Sequence, residues 1–189
     1  TLRLLGLISS YILLVTHALW HMRVLQWHLK SQWVKHQRNL SDQVQISEET
    51  ANDLQWWLMN QDWASGRLLS LPHPELAVLT NASLLGWGGH LGEVEIRGLW
   101  SPAEAQLHIN LLELRAIRLA LKAFLPSIKG KLVQVFTDNT TTMWYFNKQG
   151  GVGSWYLCQE ALRLWTWLER QGISLTVQLL EGSLHAMAD

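Results

Sequence analysis

From residue 76 onward the chain sets three short strand patterns in quick succession and only then alternates helix with strand, and few architectures accept that order. Leu76 to Thr80 is a short apolar run that breaks into a small-residue turn at Asn81-Ala82-Ser83. Gly86 to Leu91 and Val94 to Trp100 read as the next two strands, joined by a tight turn at Gly92-Glu93. Asn110 is placed to cap a helix that runs to Leu125, with Pro126 and Gly130 as its stop. Lys131 to Phe136 reads as a buried strand that delivers Asp138 at its carboxyl end. Thr140 to Lys148 reads as a helix halted by Gly150, Gly151 and Gly153. A longer helix over Trp155 to Arg170 and an alternating strand over Ile173 to Leu180 follow. The order β-β-β-α-β-α-α-β, then the start of another helix, predicts an α/β fold. Antiparallel strands come first and α/β crossovers later, so a mixed five-stranded sheet with flanking helices is expected.

The first seventy residues have a different character. Leu4 to Lys35 carries apolar residues at three- and four-residue steps, with Trp20, Val24 and Trp27 on one stripe, and predicts one long helix. Asn39 to Gln43 breaks it. Ser47 is a candidate N-cap for a second helix that ends near Asp62, with Glu48 and Glu49 suited to the helix dipole. Gly66, Pro72 and Pro74 mark a boundary. The expected division is a mostly helical segment over 1–70 and an α/β domain over 75–189. Both ends read as cut, which predicts a piece of a longer chain.

Composition narrows the classes. An apolar fraction of 48% across 189 residues is ample for a core and argues against disorder. Trp is strongly over-used, at 12 against 3 Phe and 3 Tyr, which favours core or interface packing over base stacking for any single one. Cys158 is the only cysteine, so an intramolecular disulfide and a cysteine-rich metal site are excluded, and a reducing, intracellular setting is expected. Leu4 to Val15 is too short to span a bilayer, so no membrane role is expected. Net charge is zero, yet residues 1–40 hold Arg3, Arg23, Lys30, Lys35 and Arg38 with no acid. That segment suits a phosphate backbone or an ordinary solvated face, and both readings stay open.

Chemistry concentrates at strand ends, where such sheets gather ligands. Asn81 and Asp138 both sit at carboxyl ends of strands. Glu113 faces inward if its helix packs through Leu112, Ala116 and Leu119, and Asp189 opens a terminal helix that must return to the same edge. Four such oxygen donors suit two Mg²⁺ or Mn²⁺ ions roughly 3.5–4 Å apart, and not zinc. Spacing alone leaves a plainer account open: Asp138 capping a helix, Glu113 paired with Arg115 or Arg118, and Asp189 a mere terminus. Arg115, Arg118 and Lys122 share a helix face and suit nucleic-acid contact or a solvated stripe. Lys148, in a glycine-rich loop, is the better phosphate candidate. His108 reads as structural, through capping or packing, and His185 as an ordinary histidine or a proton carrier near Asp189.

Several strings together resemble one family. His108-Ile109-Asn110-Leu111-Leu112-Glu113-Leu114-Arg115-Ala116, Thr137-Asp138-Asn139 and Asn147-Lys148-Gln149-Gly150-Gly151 occur in order. So do Thr80-Asn81-Ala82-Ser83 with Gly86-Trp87-Gly88, and the closing Ala188-Asp189. They resemble the ribonuclease H domain of DIRS-type and related retrotransposon reverse transcriptases, over about 75–189. More loosely, Leu4-Leu5-Gly6 and Met22 to Gln26 resemble the thumb and connection segment that precedes it. The polymerase's catalytic palm has no counterpart here, so DNA synthesis is not expected. The resemblance implies a ribonuclease H fold, hydrolysis of RNA in an RNA–DNA hybrid, a two-ion Mg²⁺ site, and the remainder of a reverse transcriptase polyprotein as partner. It places Asn81, Glu113, Asp138 and Asp189 at the family's four carboxylate positions.

Departures from the family pattern fall at telling places. Asn81 stands where an aspartate is expected, which removes a full charge where two dications should meet. Val152 and Gly153 replace a threonine and an arginine, while Leu179, Glu181 and His185 replace a histidine, a proline and an asparagine. A folded domain with weak or absent nuclease activity is expected. A non-catalytic nucleic-acid-binding module and a non-functional retroelement relic are the alternatives.

Overall fold

The computed structural model describes residues 2–39, 41–59, 66 and 73–180. These fall into two compact units, one within Thr1–Leu71 plus Gly151–Trp155, the other within Pro72–Gly150 plus Tyr156–Asp189.

The first unit holds α1 (Leu2–Ser10), a 3-10 turn (Trp20–Met22), α2 (Arg23–Lys35) and α3 (Glu48–Met59). The single helix expected over Leu4 to Lys35 is therefore broken in two. Ser9 and Ser10 bend their hydroxyls back to the carbonyls of Leu5 and Leu7, both at 2.7 Å, which competes with helix continuation. His17 then takes φ +67°, a left-handed conformation no α-helix carries. The break lets Ile8, Met22, Leu25 and Leu29 form one small core, against which Leu54 and Trp57 of α3 pack. Ser47 caps α3 as its sequence suggests, accepting the Thr50 N–H. The expected end of that helix at Asp62 lies outside the described residues. The 151–155 segment is tied into this unit by Trp27, whose indole N–H donates to the Gly151 carbonyl at 2.7 Å, and by Lys30, which donates to the Val152 carbonyl.

The second unit contains β1 (Leu76–Ala82), β2 (Gly86–Leu91), β3 (Val94–Leu99), α4 (Ile109–Ala123), α5 (Leu125–Ile128), β4 (Leu132–Thr137), α6 (Thr140–Asn147), α7 (Trp155–Gln171) and β5 (Ser174–Leu179). The five strands lie in the order β3-β2-β1-β4-β5. β1, β2 and β3 are antiparallel neighbours, whereas β4 and β5 run parallel to β1. This is the mixed five-stranded sheet with flanking helices that the sequence order predicts. Hairpins can only produce antiparallel neighbours, and the helical crossovers that follow produce the parallel ones.

α4 is the keystone. Leu112 and Ala116 pack with Trp100, joined by Ala82, Trp87 and Leu119, while Leu114, Ile117 and Leu121 are fully buried. Trp100 also donates its indole N–H to the Ser83 carbonyl at 2.9 Å, so this cluster grips the turn after β1. Gly89 sits directly beneath α4: a Cβ added there would stand 2.9 Å from the Ala120 Cβ. Gly89→Ala is expected to destabilise the domain by about 1–3 kcal/mol through overpacking. Urea denaturation measures this, and an unchanged midpoint would show that α4 is free to shift.

Two helix boundaries differ from the sequence reading. Asn110 is not the cap of α4. His108 is, with extended backbone and an Nδ1 that accepts the Asn110 N–H at 3.2 Å. Pro126 does not stop that helix either. α4 ends at Ala123, and Pro126 falls in the first turn of α5, where a missing N–H leaves no bond unmade.

Candidate metal and nucleic-acid site

The parallel pairing of β1 with β4 brings two candidates together. Leu79 pairs with Phe136, so two residues on, Asn81 and Asp138 come to the same edge of the sheet; Asn81 and Ala82 still lie within β1, paired with Gly88 and Trp87, rather than in the turn expected there. Asp138 is exposed there. α4 adds the third group from its second turn. Glu113 is only 3% exposed, and its Oε1 accepts the backbone N–H of Ala82, next to Asn81, at 3.2 Å.

The electrostatics of this carboxyl are unusual. Burial pushes the Glu113 carboxyl up to about 8, and the negative charge of Asp138 pushes the same way, with the Ala82 N–H pulling back. Its second oxygen, Oε2, is buried without a hydrogen-bond partner among the described residues. A buried, unpaired carboxylate oxygen beside a second carboxylate is the chemistry of a cation ligand, so the residues present fit a divalent metal. Glu113, Asp138 and Asn81 are the oxygen-bearing side chains that α4, β4 and β1 bring to this edge. Among the described residues no three of His, Cys, Asp and Glu form a metal-holding group. Asp189 and His185 lie outside the described residues, as does Glu181.

The plainer readings of Asp138 and Glu113 do not hold. The cap of α6 is Asn139, not Asp138: its Oδ1 accepts the Thr142 N–H at 2.9 Å. Glu113 pairs with neither arginine of its own helix. Arg118 donates to Glu160 of α7, and Arg115 reaches Glu160 at 3.5 Å and Glu104 at 3.1 Å. The Glu160 side chain is 2% exposed, so these two guanidiniums neutralise a buried charge between α4 and α7. Lys148, at the end of α6, lies over the ring of Trp144 at 4.4 Å, and that tryptophan is 51% exposed.

Two positioning residues escaped the sequence reading. The Asn139 amide donates to Asn110 Oδ1 at 2.9 Å, and Thr142 donates its hydroxyl to the Asn110 carbonyl at 3.3 Å. Asn110 and Asn139 thus clamp the start of α4 to the start of α6, each within a few residues of Glu113 or Asp138. Their membership of the same short strings as the acids was the available signal.

A pH dependence follows from Glu113. In the folded chain it keeps its proton up to about pH 8, while unfolded it releases it near the ordinary 4.5. Between those values the unfolded chain binds fewer protons, so stability falls as pH rises. Asp53, in the first unit, is pushed up to about 7 by burial and adds in the same sense. In a chelator the chain is expected to melt at a lower temperature near pH 8 than near pH 5, with Glu113→Gln flattening the upper part of that decline. A melting temperature that climbs over this interval would contradict a buried, protonated Glu113.

No helix among the described residues is long and apolar enough to cross a membrane. No protein-family model matches the chain, and no curated protein matches it either. Solved structures of similar course exist. Ribonuclease H1 from the halophilic archaeon Halobacterium salinarum NRC-1 is 13% identical, covering 60% of this chain and 91% of its own, with a TM-score of 0.47. The foamy viral protease-reverse transcriptase in complex with double-stranded DNA is 13% identical over 79% of this chain, with a TM-score of 0.41. A selenomethionine-labelled CSH mutant of the prototype foamy virus enzyme is 17% identical over 94% of this chain, with a TM-score of 0.39. The present chain spans 33% and 24% of the length of those two viral proteins.

Proposed function

We propose that this chain carries the ribonuclease H-like module of a retroelement reverse transcriptase, built to hydrolyse the RNA strand of RNA–DNA hybrids and impaired by Asn81. Residues 75–189 form that module, and residues 1–70 are a thumb- and connection-like segment of the same intracellular polyprotein. The DIRS-type elements are the family its strings resemble. The observation that carries this reading is the Glu113 carboxyl, held by the Ala82 N–H beside Asn81 with one oxygen left unpaired.

The roles divide as follows. Glu113, Asp138 and Asp189 would hold Mg²⁺ or Mn²⁺, with Asn81 offering one neutral oxygen. When bound, the ions supply charge stabilisation at the phosphoryl oxygens and a more acidic water. Ala82 fixes the orientation of Glu113 through its N–H, and the Asn110–Asn139 clamp fixes the distance between α4 and the end of β4. Asn81 preserves the shape of an aspartate but not its charge, so ion affinity falls while the fold stands. Lys148 with Trp144 offers a cation and an exposed ring to a nucleic-acid strand. Arg115 and Arg118 remain candidates for contact only through the parts of their guanidiniums that Glu160 and Glu104 do not occupy.

The test is cleavage of a labelled RNA–DNA hybrid in Mg²⁺ and in Mn²⁺ by the chain extended beyond Asp189, beside its Asn81→Asp variant. Cleavage by the aspartate variant alone supports the reading. Failure of both, with hybrid still bound, favours a non-catalytic binding module, for which the Lys148–Trp144 pair is the structural support.

A further inference from the structure

A shallow groove of about 330 Å³ opens beside Asn81 and reaches Arg97 on the edge strand β3. The strand register creates it. Asn81 pairs with Gly88, and Gly88 pairs with Arg97, so the three stand in a row across the sheet and share one face. Gly88 has no side chain to separate the outer two. Two strand spacings put the Cα atoms of Asn81 and Arg97 ~10 Å apart, a span that an extended arginine largely covers.

Arg97 is exposed, and its side chain has no hydrogen bond or ion pair among the described residues. Among the described residues it is also the single charged one lining the groove. Asp138 lies on the far side of Asn81, since β4 follows β1 while β3 lies beyond β2. A carboxylate at position 81 would offset the guanidinium and reserve the groove's inner end for a cation. The amide leaves the groove with one positive charge and adds an N–H₂ donor at the other end. Leu85 and Leu99, which also line it, are 79% and 86% exposed and give its rim an apolar surface.

We propose that this groove binds a phosphodiester of a nucleic-acid backbone directly, without a metal ion, through the Arg97 guanidinium and the Asn81 amide. A guanidinium fork matches two phosphate oxygens, and the open groove admits a continuous strand. The substitution that weakens the metal site thereby converts its outer flank into an anion site. The inference rests on the hybrid-binding part of the proposed function.

The experiment is fluorescence anisotropy of a labelled RNA–DNA hybrid with the full chain in EDTA, over a series of salt concentrations. Arg97→Ala is expected to weaken binding about tenfold and to reduce the slope of log K against log salt by about one. Arg97→Lys restores the slope but only part of the affinity, because a lysine is a point charge. Asn81→Asp is expected to weaken binding in EDTA several-fold, with the loss reversed by Mg²⁺. The Arg97 variants should melt with the parent chain, since the side chain is exposed and makes no hydrogen bond or ion pair among the described residues. Parent-like affinity and salt slope for Arg97→Ala and Asn81→Asp in EDTA would overturn the groove while leaving hybrid binding intact. Absence of hybrid binding by the parent chain, in EDTA and in Mg²⁺ alike, would overturn both this inference and the reading beneath it.

Discussion

Asn81→Asp is expected to raise hybrid cleavage in Mg²⁺ by about 100-fold or more over the chain as it stands. Lewis-acid stabilisation by a correctly held ion is worth several kcal/mol of barrier, and each 1.36 kcal/mol is tenfold in rate. Two of the proposed acidic partners of an aspartate at position 81 come to the same edge of the sheet. Glu113 is fixed by the Ala82 N–H, Asp138 is brought to the same edge by the β1–β4 pairing, and Asn110 and Asn139 hold the two helices that follow these acids. Asn and Asp have nearly the same shape, so the change asks nothing of the packing. Rates for the parent, Asn81→Asp and Asn81→Asp with Glu113→Gln decide the matter. The double variant should fall back to the parent level. Equal rates for parent and Asn81→Asp, with both cutting, would show that the amide is no handicap.

Arg118→Ala is expected to destabilise the second unit by about 3 kcal/mol. Glu160 is buried to 2% exposure and depends on Arg118 and Arg115, with Arg163 at 3.7 Å from a largely solvated position. Removing one partner of a buried ion pair leaves a charge that costs about 3–5 kcal/mol. The remaining contact from Arg115 at 3.5 Å keeps the loss at the lower end. Replacing both partners, as in Arg118→Met with Glu160→Leu, should recover most of it, because the desolvation penalty disappears with the charges. Urea midpoints of the three variants test this. A small change in midpoint joined to a large loss of hybrid affinity would instead make Arg118 a nucleic-acid contact.

How much of this was legible beforehand depends on the range of the interaction. The strands ending at Asn81 and Asp138 were readable because apolar runs bounded by turn residues are a local signal. The inward orientation of Glu113 followed from helical periodicity through Leu112, Ala116 and Leu119. The capping role of His108 was also within reach, since its partner is two residues away. The break after Ser10 was not, because apolar spacing continues through it and only the serine back-bonds and the left-handed His17 reveal the interruption. Arg115 and Arg118 looked like a solvated stripe, because their partner Glu160 is more than forty residues away, at a separation of 42 from Arg118.

The sequence by itself therefore determined the strand and helix order, the sheet's mixture of antiparallel and parallel neighbours, and the presence of an amide, Asn81, near the carboxyl end of the first strand. Those are consequences of turn length, crossover length and side-chain type, all written locally. Only the tertiary structure decided that the Glu113 carboxyl is buried with an unpaired oxygen, that the α4 arginines serve Glu160, and that Arg97 stands in register with Asn81. Each of these depends on which distant segment lies alongside, and register and burial are properties of the assembled sheet rather than of any stretch of chain.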